Sequence, residues 1–501
     1  MNSKGWLRHL IVWSLLLTVV ESRVAAAAWR VFTSAHLEVL SDTGEMLARQ
    51  RMEKLERFRA AIVAYQGEAA VSHLPTRLIL FRNDSEFDPV KVRHKGRSAE
   101  IDGLYIADPH QNLIAVNAED DERREGHVVQ HEYVHLLCRA QHATWPFWLN
   151  EGIAECLSTA QVRPDHVLLG TPPKESLNAL KHLRLLYVDT VMGATQRSLD
   201  GASTESMQAF YAESWLMTHL LLFNANREVA QKSDGFLKKL AEGKSFAPAL
   251  RETLGWSLDK LTDELNYYRK NGRFAVLKLT LTNAVQPEIQ ARPAAPGELK
   301  HWIGRWFLAE GRTNEAAIEF EAAAKLAPGS ALTEFGLGLL AEREGHARES
   351  VSHLRAARTL DPAQFETLFH LARCLIQIQA ASAEGNATTT GEGFREPCEL
   401  LEECLRLRPD FVPAYDLLGR AEYARGHLQR ATDLLVKAIT LATYEDATRL
   451  ELARVLRDGK RPELARVQYR LVASNPRNRG AARAAFADLA LMDSDAATSP
   501  K

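Results

Sequence analysis

Apolar positions recur with a helical period over EMLARQRMEKLERFRAAIVAY, residues 45–65, and predict an amphipathic helix. TRLILF at 76–81 is mostly apolar and of strand length, and predicts a buried strand. WRVFTSAHLEVLS, just before the helix, offers one or two more. GLYIADPHQNLIAVNAED predicts two short strands, 103–107 and 112–117, joined by a DPHQN turn. YVHLLC contains no Pro or Gly and suits a helix; WPFWLNEGIAECLS reads as a turn and a second amphipathic helix starting near Phe147. The pattern then becomes mostly helical, with helices expected at 178–188, 206–223, 234–242 and 257–270. A mixed α/β half thus precedes a helical half, and a site shared by them would lie in the cleft between.

AVQPEIQARPAAPGE at 284–298 is rich in Pro and Ala and has no apolar period, so 284–296 is expected to be a linker. Beyond it small residues recur every 34 positions. Gly304, Ala323 and Pro328 return as Gly338, Ala357 and Pro362, and a fourth copy carries Gly419, Ala431 and Ala438. Ala316 and Phe320 fill the packing slots of the first copy. The third copy, with Ala372 and Pro409, holds a polar, Gly-rich insertion at about 379–393. A fifth, degenerate copy has Leu452 in the Gly slot, and residues 477–501 read as a capping helix and frayed tail. The 34-residue pattern resembles the tetratricopeptide repeat, with four to five copies over 297–476. Such a stack makes a groove for a peptide or protein partner, or else packs only on the preceding domain.

The chemistry is concentrated in HEYVH, 131–135, and NEGIAE, 150–155. On a helix His131 and His135 lie one turn apart and point the same way, so they can share one zinc ion. Glu132 is then placed as general base, and Glu151 arrives from the second helix as third ligand. A His₂Glu set leaves one position open, the arrangement of a hydrolytic zinc. A surface helix with two solvated histidines would give the same letters without the chemistry.

HEYVH with WLNEGIAE resembles the gluzincin zinc metallopeptidases, and the layout is similar to peptidase-MA-like domains fused to C-terminal tetratricopeptide repeats. The specific motifs cover about a hundred residues and the looser likeness residues 29–283. The resemblance implies an α+β zincin-like domain with a mixed sheet and an HExxH helix, followed by an all-α solenoid. It implies Zn2+ held by His131, His135 and Glu151, with Glu132 as catalytic base. Glu155, one turn after Glu151, would accept the free ring N–H of a ligand histidine. Tyr211 matches a tyrosine at a helix start that donates to the oxyanion; the alternative is a core tyrosine. The strand near 103–107 is either the edge along which substrate pairs or an ordinary hairpin strand. The His-to-Glu spacing is shorter than in the aminopeptidase branch, and no GxMEN-like segment precedes the helix. The likeness therefore does not extend to exopeptidase specificity.

At 501 residues the chain has room for several domains. A net charge of −2 gives no drive toward nucleic acid, and EDDERRE at 119–125 is mixed in sign. Lys4 and Arg8 flank the short apolar run LIVWSLLLTVV, and VAAAA follows at 24–28. This is the layout of a signal peptide over 1–28, or of an uncleaved anchor. It implies an exported, periplasmic or extracellular protein with no membrane span after cleavage. The five cysteines form no CxxC pair; Cys138 and Cys156 are either bridged or, more in keeping with the pattern, buried free thiols. Asn386 heads a glycosylation sequon that matters only in a eukaryotic secretory pathway. The function implied is a metal-activated hydrolysis of peptide or protein substrates; the alternative is a non-catalytic envelope scaffold.

Overall fold

The computed structural model describes residues 29–67, 70–94, 97–98, 101–124, 126–140, 145–199, 202–223, 227–241, 243–281, 286–383, 391–442, 446–474 and 478–498. The leader expected over 1–28 and Asn386 lie outside the described residues. Among the described residues no helix is long and apolar enough to cross a membrane.

A six-stranded mixed sheet forms the first layer. Its order is Gln290–Pro293, Arg30–Thr33, Leu37–Ser41, Thr76–Phe81, Asn112–Asn117, Gly103–Ala107. The three middle strands are parallel, and both flanks are antiparallel. The middle strands bury both faces, which is why they read as nearly continuous apolar runs. Phe32, Val39, Leu78, Leu80, Ile114 and Val116 pack on one face against the helices Glu45–Gln66 and His127–Ala140. Their neighbours Val31, Leu40, Ile79, Phe81, Leu113 and Ala115 point the other way.

The cover on that second face is the first repeat itself. Trp302, Ile303, Trp306 and Phe307, on the helix Glu298–Glu310, share one core with the sheet. The expected linker at 284–296 therefore needs correction. Gln290–Pro293 is a sheet strand paired with Arg30–Thr33. Arg292 then holds Glu298, at the start of the first repeat helix, at 2.6 Å. The Pro-rich composition misleads because an edge strand tolerates Pro where the N–H side is not needed. A buried ion cluster adds to the joint: Glu366 binds Arg77 of the sheet at 2.6 Å and Arg305 at 2.7 Å. The Gln111 amide oxygen accepts from both guanidiniums.

The repeats form a stack of antiparallel helix pairs: Glu298–Glu310 with Thr313–Leu326, Ala331–Arg343 with Ala347–Leu360, Phe365–Ala383 with Arg395–Leu407, Val412–Ala424 with Leu428–Leu441, and Asp446–Asp458 with Pro462–Ala473. Arg479–Thr498 caps them. The periodic glycines have one reason. A Cβ on Gly304, Gly338 or Gly419 would press on Phe320, Leu354 or Leu435 of the paired helix at 2.7–2.8 Å. The insertion is partly absorbed by lengthening of the helix Phe365–Ala383.

The helical half follows the expected pattern with shifted ends. The helix expected at 178–188 divides into Lys174–His182 and Val188–Gly193. A small second sheet, in which Leu277–Thr280 pairs with His166–Leu169, was not foreseen.

Candidate metal centre

His131 and His135 project from the helix His127–Ala140, whose other face is anchored in the core by Val129, Tyr133, Val134 and Leu137. Glu151 comes from the helix Phe147–Ser158, which lies at the seam of two cores. Ala154 packs toward the sheet, while Trp148, Leu149 and Cys156 pack into the helical half. The second helix is held close by Gly152, where a Cβ would run into the Thr218 hydroxyl and the Ser214 carbonyl of the helix Thr204–Leu222. The Ser214 carbonyl is helix backbone and cannot turn aside, so the small residue is required there. Gly152→Ala should therefore cost about 1–3 kcal/mol of stability. It should also displace the adjacent Glu151, so thermal unfolding and metal content should fall together. Wild-type values of both would show that the crossing can open.

His131 Nε2 lies 3.3 Å and His135 Nε2 3.6 Å from the same oxygen, Glu151 Oε2. The three donor atoms all fall within 4.8 Å of one another. Tetrahedral ligands at the usual zinc distances sit about 3.4 Å apart, so the donor set fits one zinc ion. Burial pushes the Glu151 carboxyl up, but His135 and His131 pull it down further, to about 2. Burial likewise pushes the His131 imidazole down, and hydrogen bonds to Glu151 and Glu155 more than reverse it. Glu155 Oε1 is 3.3 Å from His131 Nδ1, the ring nitrogen that faces away from Glu151.

Glu132 faces the free edge of the sheet. A Cβ on Gly103 would come within 3.0 Å of Glu132 Cγ and 2.8 Å of Val128, so the edge strand passes directly over the carboxylate. Burial raises the Glu132 carboxyl above its ordinary value; His135, His131 and the Tyr105 amide act against that rise. Tyr211 stands beside the site, with its ring centroid 6.4 Å from that of His131. It does not sit at a helix start, as the resemblance implied. The helix begins at Thr204, and Tyr211 lies in its third turn.

Three neighbours were not singled out from the sequence. Asn150 places its side-chain amide 3.0 Å from His135 Nδ1. An amide can serve either ring tautomer by presenting its nitrogen or its oxygen. His127 lies one turn before His131, its ring 6.0 Å away and its Nε2 3.8 Å from Glu155. Its i, i+4 spacing from His131 was visible in the letters. Gly103 was not, because only the packing shows what crosses it. Cys138 and Cys156 are buried free thiols, so no bridge joins the two site helices.

No protein-family model and no curated protein matches the chain. Solved structures match it over about two fifths of its length. MamA 41-end from Desulfovibrio magneticus RS-1 is 18% identical with a TM-score of 0.31, covering 37% of this chain and 97% of that one. A thermophilic TPR protein of Thermus thermophilus is 18% identical at 0.33, covering 39% and 99%. PilF of Pseudomonas aeruginosa is 18% identical at 0.32, covering 39% and 91%. Scores this low add nothing to the helix pairs already described. Those pairs define the class: a mixed-sheet domain continued by an all-helical, tetratricopeptide-like solenoid.

Proposed function

We propose that the chain is a zinc-dependent metallopeptidase of gluzincin type that hydrolyses peptide bonds beside Glu132. One observation carries this reading: two imidazoles and a carboxylate from two helices converge on one point, with a second carboxylate, Glu132, set against the edge strand of the sheet. A merely structural zinc has no need of Glu132. Bound zinc at a His₂Glu set supplies Lewis acidity and an activated water. The chain supplies the rest. Glu132 takes a proton from the attacking water and passes it to the leaving amine. Glu155 holds His131 in one tautomer through Nδ1, and Asn150 steadies His135. Tyr211 donates its phenol proton to the developing oxyanion. The outward backbone of Gly103–Ala107 aligns an extended substrate by strand addition. Export through residues 1–28 belongs to the same reading.

The direct test is metal analysis of the purified full chain with a peptide-library digest. About one zinc per chain and cleavage of library peptides are expected. His131→Ala or His135→Ala should strip the metal. Preparations that bind none at micromolar zinc would end the ligand assignment. Tyr211→Phe should lower kcat roughly 10²-fold with little change in KM or stability. Wild-type turnover in that variant would return Tyr211 to the core.

A second reading is favoured by the extent of the solenoid, which takes up most of 298–498. In it the repeats bind a protein or peptide and the gluzincin-like domain does not turn over. Zinc binding without cleavage of any library peptide would select it.

A further inference from the structure

The spacing that builds the metal centre occurs twice in the chain. His127 precedes His131 by one helical turn, as His131 precedes His135, and Glu155 follows Glu151 by one turn. One step back along the first helix therefore meets one step forward along the second. His131 Nδ1 lies 3.3 Å from Glu155 Oε1, and His127 Nε2 lies 3.8 Å from Glu155 Oε2. The donor atoms of His127, His131 and Glu155 all fall within 4.8 Å of one another, as those of the first triad do.

These contacts are longer than hydrogen bonds. His36, His370 and His427 each face a buried glutamate side chain too, and they close to 2.6–2.7 Å. The first triad instead stands at 3.3 and 3.6 Å, near the roughly 3.4 Å edge of a zinc tetrahedron, and the second at 3.3 and 3.8 Å repeats that spacing. His127 Nε2 is buried and has no hydrogen-bond partner. A buried nitrogen left unmet beside a carboxylate is what a ligand atom looks like without its ion. A bare zinc ion is smaller than a water molecule, so donors that face it can show no surface to water. The second triad is also no more closed than the first. The His127 and Glu155 side chains are 13% and 10% exposed, against 13% and 14% for His131 and His135 and 9% for Glu151.

We propose that His127, His131 and Glu155 form a second divalent-metal site, one turn from the first, which takes zinc while the first site stays filled. The imidazole donors suit zinc better than calcium or magnesium. The inference goes beyond the peptidase reading and rests only on the ligand assignment of the first ion. His131 then bridges the two ions, with Nε2 on the first and Nδ1 on the second. The Nδ1 proton that the ring otherwise donates to Glu155 passes to solvent, and the ring becomes an imidazolate. Two like charges on one ring repel, and His127 stands in the first turn of its helix, at the positive end. The second ion therefore binds more weakly than the first.

The probe is zinc alone, in equilibrium dialysis of the full chain followed by elemental analysis. At about 1 µM free zinc one equivalent is expected, and at about 100 µM a second. His127→Phe keeps a flat ring and removes the donor, so it should hold the first equivalent and lose the second. His127→Gln should do the same, and covers the case in which the phenylalanine disturbs the helix start. Circular dichroism of both variants checks the fold. A wild-type chain that stops at one equivalent overturns the second site and leaves the first standing. So does a second equivalent that persists in both variants, because it then lies elsewhere on the protein. Folded variants that lose both equivalents make His127 a support of the first ion, which also overturns the second site. No zinc on the wild type at either concentration overturns both.

Discussion

Replacing Glu132 by Gln should leave the zinc content unchanged and lower peptide turnover by about 10²–10⁴-fold. The substitution keeps size and hydrogen-bonding reach and removes only the basicity. The packing around the side chain is demanding. Gly103 and Val128 close on it from the strand and from its own helix, and a smaller residue would leave a gap there. Burial already works against ionisation of this carboxyl, so a neutral amide should cost the fold little. Loss of rate with zinc retained therefore isolates proton transfer from metal binding. The checks are elemental analysis and steady-state kinetics on the same preparations. Equal activity in wild type and variant would mean that a contaminating peptidase had been measured. Loss of zinc together with rate would mean that Glu132 holds the site open structurally.

A chain ending at Asn283 should be insoluble or metal-free. The composition of 284–298 suggests two modules that fold apart, but the sheet argues otherwise. Val31, Leu40, Ile79, Phe81 and Leu113 are all buried against the first repeat. Uncovering five such side chains forfeits about 1.5–3 kcal/mol each. That sum is comparable with the entire stability of an ordinary domain, about 5–15 kcal/mol. The truncation also removes the strand Gln290–Pro293 and both carboxylate partners that the joint supplies, Glu298 and Glu366. A companion variant isolates the ion cluster. Glu366→Gln in the full chain leaves the buried Arg305 guanidinium with no carboxylate and that of Arg77 with Glu38 alone. It should destabilise by about 3–5 kcal/mol in denaturant unfolding. Burial pushes the Glu366 carboxyl up, but Arg305 and Arg77 hold it well below the usual carboxylate range. Its contribution is therefore complete above the ordinary glutamate value and is lost as pH falls toward the folded one. A soluble, zinc-binding fragment 29–283 would restore the two-module picture.

The site was readable in the sequence because helices repeat on a short period. His131 and His135 face one way wherever that helix sits, and Glu155 must follow Glu151 by one turn. The repeat register was readable for a similar reason: each small residue at a helix crossing answers a large one on the paired helix, and the pattern returns every 34 positions. Of the two strands that are buried throughout, TRLILF and NLIAVN, only the first reads as buried from its apolar run; the second reads as half of a short hairpin. What covers them could not be read. Alternation assigns side chains to faces, but says nothing of which distant segment lies on each. Only the folded chain shows that the second face belongs to Trp302 and Trp306, about two hundred residues away. The same limit hid Gly103 over Glu132, Glu366 between two arginines, and the Pro109–His110 turn against Phe369. Local spacing determined which His and Glu side chains share a helix face and where the repeats fall. Long-range packing, which depends on shape and leaves no period in the letters, decided that the solenoid is built into the domain that holds the site.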